Sequence, residues 1–421
     1  MFQPKRVLKA DEIWLSDREF WLRPIEEREG AWATLREEKP ISFHEELDLG
    51  FLPKGPGYWS VVKHADVLEV SRTPEVFCSG RGSNIGDMPP PFLEAFGSMI
   101  NMDDPRHGRL RRIVSRGFTP RSLAHWEEDV QRIAKEIVDS LLERGSCDFV
   151  TDVAAALPLR IICDMMGIPE SQHQFVFDRT NTILGAGDPE YSPDLDPAKI
   201  IPALLTAGAE LTALVQDLGR HRRGKPTDDL TSELVNAEIE GERLTDAELG
   251  SFFVLLVVAG NETTRNAISH GMKALCDYPE QRAIWAKDFE GTAETAVEEI
   301  VRWATPVIHF RRTALRDTEL RGQKIEAGDK VVMWYSAANR DEDAFDRPHV
   351  FDVRRTPNEH VGFGGPGPHH CLGAHLARRE MTVMFRELFR RLPDLEITGP
   401  PERLQSFFIH GIKHMTCEVR G

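Results

Sequence analysis

The sequence predicts a mainly α-helical fold in one domain spanning residues 1–421, with small β-sheets at its margins. Three observations carry this. From about residue 125 to 240 apolar residues recur at helical spacing, as in Val130, Ile133, Ile137 and Leu141. Thr245-Asp246-Ala247-Glu248 is a capping-box pattern that announces a helix start. Strand patterns are short, and no Ser/Gly linker or low-complexity tract divides the 421 residues.

Composition narrows the function class. A formal charge of -16 excludes general affinity for nucleic acid or anionic membrane. Cys78, Cys147, Cys163, Cys276, Cys371 and Cys417 show no framework spacing, as expected in a reducing compartment. Met1 to Ala10 has neither a signal-peptide core nor an anchor, and the apolar run Phe252 to Ala259 is too short to span a bilayer. A cytoplasmic protein with no membrane anchor and no nucleic-acid partner is expected.

In chain order, Tyr58 to Val62 follows the turn Lys54-Gly55-Pro56-Gly57 and reads as one arm of a hairpin. Cys78 to Pro91, rich in Gly, Ser, Asn and Pro, reads as a surface loop. Asp103-Asp104-Pro105-Arg106-His107 opens a helix, with proline suited to a first turn and acids at the positive end. His107 and Arg111 share one face of it. Read alone, they belong to a solvated basic surface with Arg106, Arg109, Arg112 and Arg116. Leu184 to Pro197 is either a lid or an ordinary long connection.

The helix that begins at Thr245 is apolar on every face from Phe252 to Ala259, so it must run through the core. Ala259-Gly260-Asn261-Glu262-Thr263-Thr264 follows directly. A buried carboxylate there is costly unless partnered or hydrated, whereas a helix threonine can satisfy itself on the preceding turn. Glu299-Ile300-Val301-Arg302 sets opposite charges at i and i+3, a pair worth only about 0.2–0.5 kcal/mol when exposed. Glu319 to Trp334 has a hairpin pattern, Leu372 to Leu388 an amphipathic helical one, and Ser406 to Ile412 reads as a strand and turn.

Leading into the Leu372 to Leu388 pattern is Phe363-Gly-Gly-Pro-Gly-Pro-His-His-Cys-Leu-Gly-Ala374. Glycines let backbone approach a bulky ligand closely, and prolines stiffen the approach. A sulfur at the mouth of a helix has its pKa lowered towards the metal-binding thiolate, which can be the axial ligand of a haem iron. Two other readings stand beside this one. Cys371 could be a small buried hydrophobe. It could also bind zinc with His369 and His370, although no second Cys/His pair lies nearby.

This stretch resembles the haem-binding loop of the cytochrome P450 superfamily, the haem-thiolate monooxygenases. Gly367, His369 and Gly373 fill the signature positions four before, two before and two after Cys371. Phe363 lies eight residues before the cysteine instead of seven, with Pro366 the extra residue. The same insertion occurs in actinobacterial members acting on sterol side chains and branched lipids. The resemblance spans nearly the whole chain and implies a helical prism with small peripheral β-sheets. It implies haem b on the Cys371 thiolate within the loop of Phe363, Gly367, His369 and Gly373. Its propionates would rest on His107, Arg111 and Arg312. Ala259 and Gly260 would border dioxygen, Glu262 and Thr263 would relay protons, and Glu299, Arg302 and Arg355 would form a buried structural triad. The expected substrate wall is Phe92, Phe96, Met99, Leu256, Ile308, Phe310, Phe407, Phe408 and Ile409, with His309 also facing the substrate.

The implied reaction is insertion of one oxygen atom of O2 into a C–H bond of a small hydrophobic lipid. The narrower match lies in Asp104 to His107, Ile161 to Gly167, Val257 to Asn266, Pro357-Asn358 and Phe408 to Lys413. It points to terminal hydroxylation of methyl-branched lipids, isoprenoids or sterol side chains. One alternative is ring or mid-chain oxidation of another terpenoid or steroid. Another is a non-catalytic haem protein, against which the Glu262–Thr263 pair speaks. No flavin or nicotinamide domain is fused, so NAD(P)H electrons are expected through a separate ferredoxin and ferredoxin reductase. The ferredoxin would dock on Arg106, Arg109, Arg112 and Arg116 of a monomer.

Overall fold

The computed structural model describes residues 2–47, 54–87, 98–185, 187–191, 196–238 and 241–420. Phe92 and Phe96 lie outside the described residues. Eight helices frame the site: α1 (Arg106–Val114), α2 (Glu127–Arg144), α3 (Ala156–Met166), α4 (His173–Leu184), α5 (Pro197–Arg222), α6 (Asp246–Asp277), α7 (Phe289–Ala304) and α8 (Ala374–Arg391). The capping box forms as read. Thr245 accepts from the Glu248 amide at 3.1 Å, and the Glu248 carboxylate accepts from the Thr245 amide at 3.0 Å. From that start α6 runs 32 residues and packs against α3, α4, α5, α7 and α8. Phe252, Phe253, Val257, Ile268 and Leu275 are buried along it, each large apolar side chain contributing about 1.5–3 kcal/mol. Polar residues on α6 are therefore held in fixed surroundings.

The strands are β1 (Ile41–His44), β2 (Tyr58–Val61), β3 (Phe77–Cys78), β4 (Ser146–Asp148), β5 (His309–Ala314), β6 (Lys330–Trp334), β7 (Leu395–Ile397), β8 (Ile412–His414) and β9 (Thr416–Val419). One sheet has the order β1-β2-β6-β5-β3, with β2 and β6 parallel and the other neighbours antiparallel. A second has the order β4-β9-β7. The hairpin expected over Glu319 to Trp334 is divided. Thr318–Leu320 pairs with Gln323–Ile325, while β6 joins β2 and β5. Val331, Val332, Met333 and Trp334 are all fully buried, so β6 is an interior strand. The 406–412 stretch makes one bridge, Val307 to Ile409, before β8 begins.

Among the described residues one helix, Lys199–Arg222, is long and apolar enough by composition to cross a membrane. The sequence reading, which looked only for unbroken apolar runs, did not single it out. Its Ala207, Leu211 and Val215 are buried.

Candidate functional site

Between α6 and the loop preceding α8 lies a cavity of about 220 Å³. Phe252, Leu255, Leu256, Ala259, Gly260 and Thr263 of α6 line one side. Phe363, Gly364, Gly365, His369, His370 and Cys371 line the other.

The cysteine loop is closed by its own backbone. The Cys371 amide donates to the Phe363 carbonyl at 2.9 Å, and the His370 amide to the Gly367 carbonyl at 3.2 Å. Gly367 has φ of 148°. A Cβ there would sit 2.2 Å from the Ser71 carbonyl oxygen, so only glycine lets the loop lie on the helix His64–Arg72. The Phe363 ring lies under the Arg378 guanidinium at 4.4 Å. Phe363 thus closes the loop despite its extra residue.

Cys371 precedes the first residue of α8, Ala374, by three positions. The lowering expected at the helix mouth acts through the Gly373 N–H, and burial outweighs it. Burial pushes the thiol up, opposed by the Gly373 N–H and by the charges of Arg111 and Arg378. Among the described residues no three His, Cys, Asp or Glu side chains cluster as metal ligands.

At one end of the cavity basic side chains gather, with the Asp104 carboxylate 3.8 Å from Nδ1 of His107. The His107 and His369 rings lie 4.2 Å apart. Arg111 donates to the His370 carbonyl at 2.5 Å and Arg312 to the Arg311 carbonyl at 2.9 Å. Among the described residues neither arginine has a carboxylate partner. The buried Nε2 of His107 has no hydrogen-bond partner. Burial holds both arginines below their ordinary values. It also depresses His369 to about 3, helped by Arg312, His107 and Arg111. One orphaned imidazole nitrogen and two arginines without a carboxylate at one end, a lone sulfur in the floor and an apolar roof fit a haem with its two carboxylates.

The polar turn of α6 divides between two faces. The Thr263 hydroxyl lines the cavity and donates to the Ala259 carbonyl at 2.6 Å. Glu262 does not reach the cavity. Its carboxylate, 1% exposed, pairs with Arg265 and accepts from Asn266 at 2.9 Å. Arg265 in turn reaches Asn181 of α4 at 3.4 Å. Successive helix residues point about 100° apart, and the cation that offsets the buried charge stands on the α4 side. A Cβ on Gly260 would lie 2.5 Å from Ile162 of α3, so the small residue also serves helix packing.

Sequence reasoning missed Glu380. It lines the cavity from α8, fully buried, with its carboxyl raised to about 8 by burial against one hydrogen bond to Thr264. The available signal was its register, four after Leu376 and four before Met384 on the apolar face.

Glu299, Arg302 and Arg355 meet as expected. Arg302 donates to both oxygens of Glu299 at 2.7 Å, and Arg355 to one at 3.0 Å. The guanidinium ends continue onto the carbonyls of Asn339, Asp346, Arg347, Pro348 and Val350. The meander beneath the cysteine loop is thereby fastened to α7.

The wall differs from expectation. Met99, Leu256 and Phe310 line the cavity, joined by Ile100, Phe252, Leu255, Pro306 and Val307. Ile308 instead packs with Trp32 and Trp334, and His309 faces Trp334 at 4.8 Å. The alternation that sets Phe310 and Arg312 on the cavity face does not extend to residue 308, which precedes β5. Phe407 is 49% exposed, Ile409 is buried on Val307, and Phe408 backs Phe310 at 5.5 Å. These three do not line the cavity. The arginine surface is also less uniform than expected, because Arg109 is paired with Glu242 at 3.0 Å and Glu248 at 2.6 Å.

The described part of the 184–197 connection is latched to the C-terminal strands. Lys413 donates to Asp188 at 3.1 Å and pairs with Glu190 at 2.7 Å. His414 bridges Asp148 at 2.5 Å and Glu190 at 2.9 Å. Burial lowers the pKa of His414, but the two carboxylates outweigh it and raise the value. Its contribution is therefore complete below about pH 6.5 and is lost as pH climbs through the raised value. Asp188 and Glu190 are lowered, against burial, by backbone amides and Lys413 for the first and by Lys413 and His414 for the second. Their contribution fails only as pH falls through the depressed values. Intrinsic-rate-corrected amide exchange over residues 187–191 should be slower at pH 6 than at pH 8, and His414→Gln should remove the difference. Equal protection in the parent protein would refute the latch.

Comparisons with known proteins agree with this geometry. A family model described as Cytochrome P450 matches residues 293–405. A Mycobacterium tuberculosis protein described as methyl-branched lipid omega-hydroxylase is 53% identical over 413 residues, 97% of this chain and 95% of that protein. A Mycolicibacterium smegmatis steroid C26-monooxygenase is 43% identical over 408 residues, covering 94% and 91%. The crystallised Mycobacterium marinum cytochrome P450 CYP268A2, in complex with pseudoionone, superposes with a TM-score of 0.92 at 46% identity, covering 98% of this chain and 100% of that one.

Proposed function

The chain belongs to the cytochrome P450 family, and from that premise we propose that it hydroxylates the branched terminus of a methyl-branched lipid, isoprenoid or sterol side chain. It is a monooxygenase that works with a haem iron, dioxygen and electrons from external donors. The observation that carries the finer reading is the 53% identity over 97% of the chain to a methyl-branched lipid omega-hydroxylase. The cavity supports it. Met99, Phe252, Leu255, Leu256, Val307 and Phe310 present hydrocarbon, and each buried CH2 of a ligand gains about 0.8 kcal/mol.

In the proposed mechanism Cys371 would hold the iron of a haem b within the loop of Phe363, Gly367 and Gly373. Arg111, Arg312, His107 and His369 would hold its carboxylates through charge-assisted hydrogen bonds. The haem, when bound, supplies the oxygen activation. Ala259 and Gly260 leave the wall beside it low. Thr263 keeps its proton on the Ala259 carbonyl at the cavity surface, ready to be turned inward. Glu262, a carboxylate paired with Arg265 behind it, would hand protons towards the cavity only after that pair opens and the carboxylate takes up a proton from solvent. The apolar residues of α6 exclude water and hold the chain tail-inward. Electrons come from NAD(P)H through a ferredoxin and its reductase, and the protein acts as a cytoplasmic monomer.

Thr263→Ala should leave haem and substrate binding intact while reducing product per electron consumed. General acid–base assistance is worth about 10²–10⁴ in rate, and an unchanged coupling ratio would remove Thr263 from the relay. Regiochemistry tests the substrate assignment. Reconstituted enzyme given a methyl-branched fatty acid and its straight-chain isomer should favour the branched chain at its far terminus. Equal turnover of both, or oxidation mainly at mid-chain or on a sterol ring, would overturn the branched-terminus reading.

A further inference from the structure

Away from the cavity, β4 and β9 run antiparallel with Cys147 directly opposite Cys417. Their sulfurs are 3.5 Å apart and both cysteines are free. Cys417 is fully buried in the middle strand of its sheet, while Cys147 is part-exposed on the edge strand. Backbone bonds hold the register on both sides, from the Phe149 amide to Met415 and from the Val419 amide to Gly145, each 2.8 Å. The two thiols therefore face each other as part of the fold. Opposed residues in an antiparallel pair hold their Cβ atoms about 4.5–5.5 Å apart, and a disulfide needs about 3.5–4.5 Å. A small approach of the two strands closes that gap.

Neither cysteine lines the cavity, so the monooxygenase chemistry leaves the pair without a use. We infer that Cys147 and Cys417 form a reversible redox-modification site, a dithiol that a hydroperoxide closes to a disulfide. The two sulfurs lie within hydrogen-bond distance, and their mutual contact lowers the pKa of Cys417 and raises that of Cys147. Asp148 and Asp152 oppose charge on the pair, and Arg144 favours it on Cys147. One sulfur attacks the hydroperoxide, breaking its O–O bond and leaving a sulfenic acid and one water. The other sulfur displaces the second water as the S–S bond forms. Two thiols and one hydrogen peroxide thus give one disulfide and two waters. The bond would staple β9 to the strand that follows α2. β9 continues from β8, where the Ile412 amide donates to Asn266 of α6 at 2.9 Å, so the staple also holds the strand whose Lys413 and His414 latch residues 187–191.

Hydrogen peroxide is the probe. Haem-loaded full-length protein is exposed to it, denatured, alkylated and digested. Titratable thiols should fall from six to four, with one cross-linked peptide joining Cys147 to Cys417 and full reversal by dithiothreitol. Cys147→Ser and Cys417→Ala should each prevent the thiol loss while leaving the haem spectrum unchanged. On the parent protein alone, oxidation should slow carboxypeptidase release of Cys417 at least tenfold, a readout that needs no variant. Six intact thiols after peroxide, sulfinic acid on Cys147 without a cross-link, or a cross-link between other cysteines would overturn the assignment.

Discussion

Cys371→Ser should abolish the strongly red-shifted Soret band that carbon monoxide gives with the reduced protein, and lipid hydroxylation should fall below detection with it. A serine hydroxyl at that position stays protonated at neutral pH and donates far less charge to a metal than a thiolate does. The loop should survive the change, since its closing bonds run between backbone groups of Phe363, Gly367, His370 and Cys371. Arg111, Arg312 and His107 are also untouched, so the variant should still take up a measurable share of haem. That separates loss of the ligand from loss of the fold. A band of unaltered position and strength in Cys371→Ser would end the assignment.

Glu299→Gln should be the most destabilising single change in the scaffold. It leaves Arg302, fully buried, and Arg355, 8% exposed, without the one carboxylate that serves both. Breaking a buried ion pair from one side costs about 3–5 kcal/mol, a large share of a total stability of about 5–15 kcal/mol. Urea unfolding of the apoprotein should show a fall of that size, and haem retention should drop in parallel. Adding Arg302→Met should recover part of the loss, because the second substitution removes one of the stranded charges. A cost below about 1 kcal/mol, well under the handicap of an unpaired buried charge, would show that the triad does not fasten the meander.

What could be read from the sequence was local. The capping box at Thr245 and the cysteine loop are complete within a few residues, and both formed as expected. Glu299, Arg302 and Arg355 were legible through their order, since an exposed i, i+3 pair looks the same in sequence as a buried one. The misses depend on partners far along the chain. Glu262 turns away from the cavity because Arg265 and Asn181 stand on the opposite side of α6. Arg109 leaves the basic surface because Glu242 and Glu248, more than 130 positions later, come to meet it. Ile308, expected in the wall, stands two residues before Phe310, and the break in alternation before β5 sends it to the other side. Glu380 reads as an ordinary helix carboxylate until the pairing of α8 with α6 encloses it.

The contact between Gly367 and the Ser71 carbonyl bears on how far the protein can be taken apart. The stretch matched by the family model, residues 293–405, holds Cys371, Arg312 and the whole Glu299 triad. It holds neither the helix on which the loop lies nor the roof that α6 provides. Expressed as a fragment, that portion would keep every signature residue yet lack a surface to set the loop's shape. Supplying residues 54–87 as a separate piece would restore the floor but not the roof. The shape of the cysteine loop is thus a property of the assembled chain, and a minimal module cannot be cut out around Cys371.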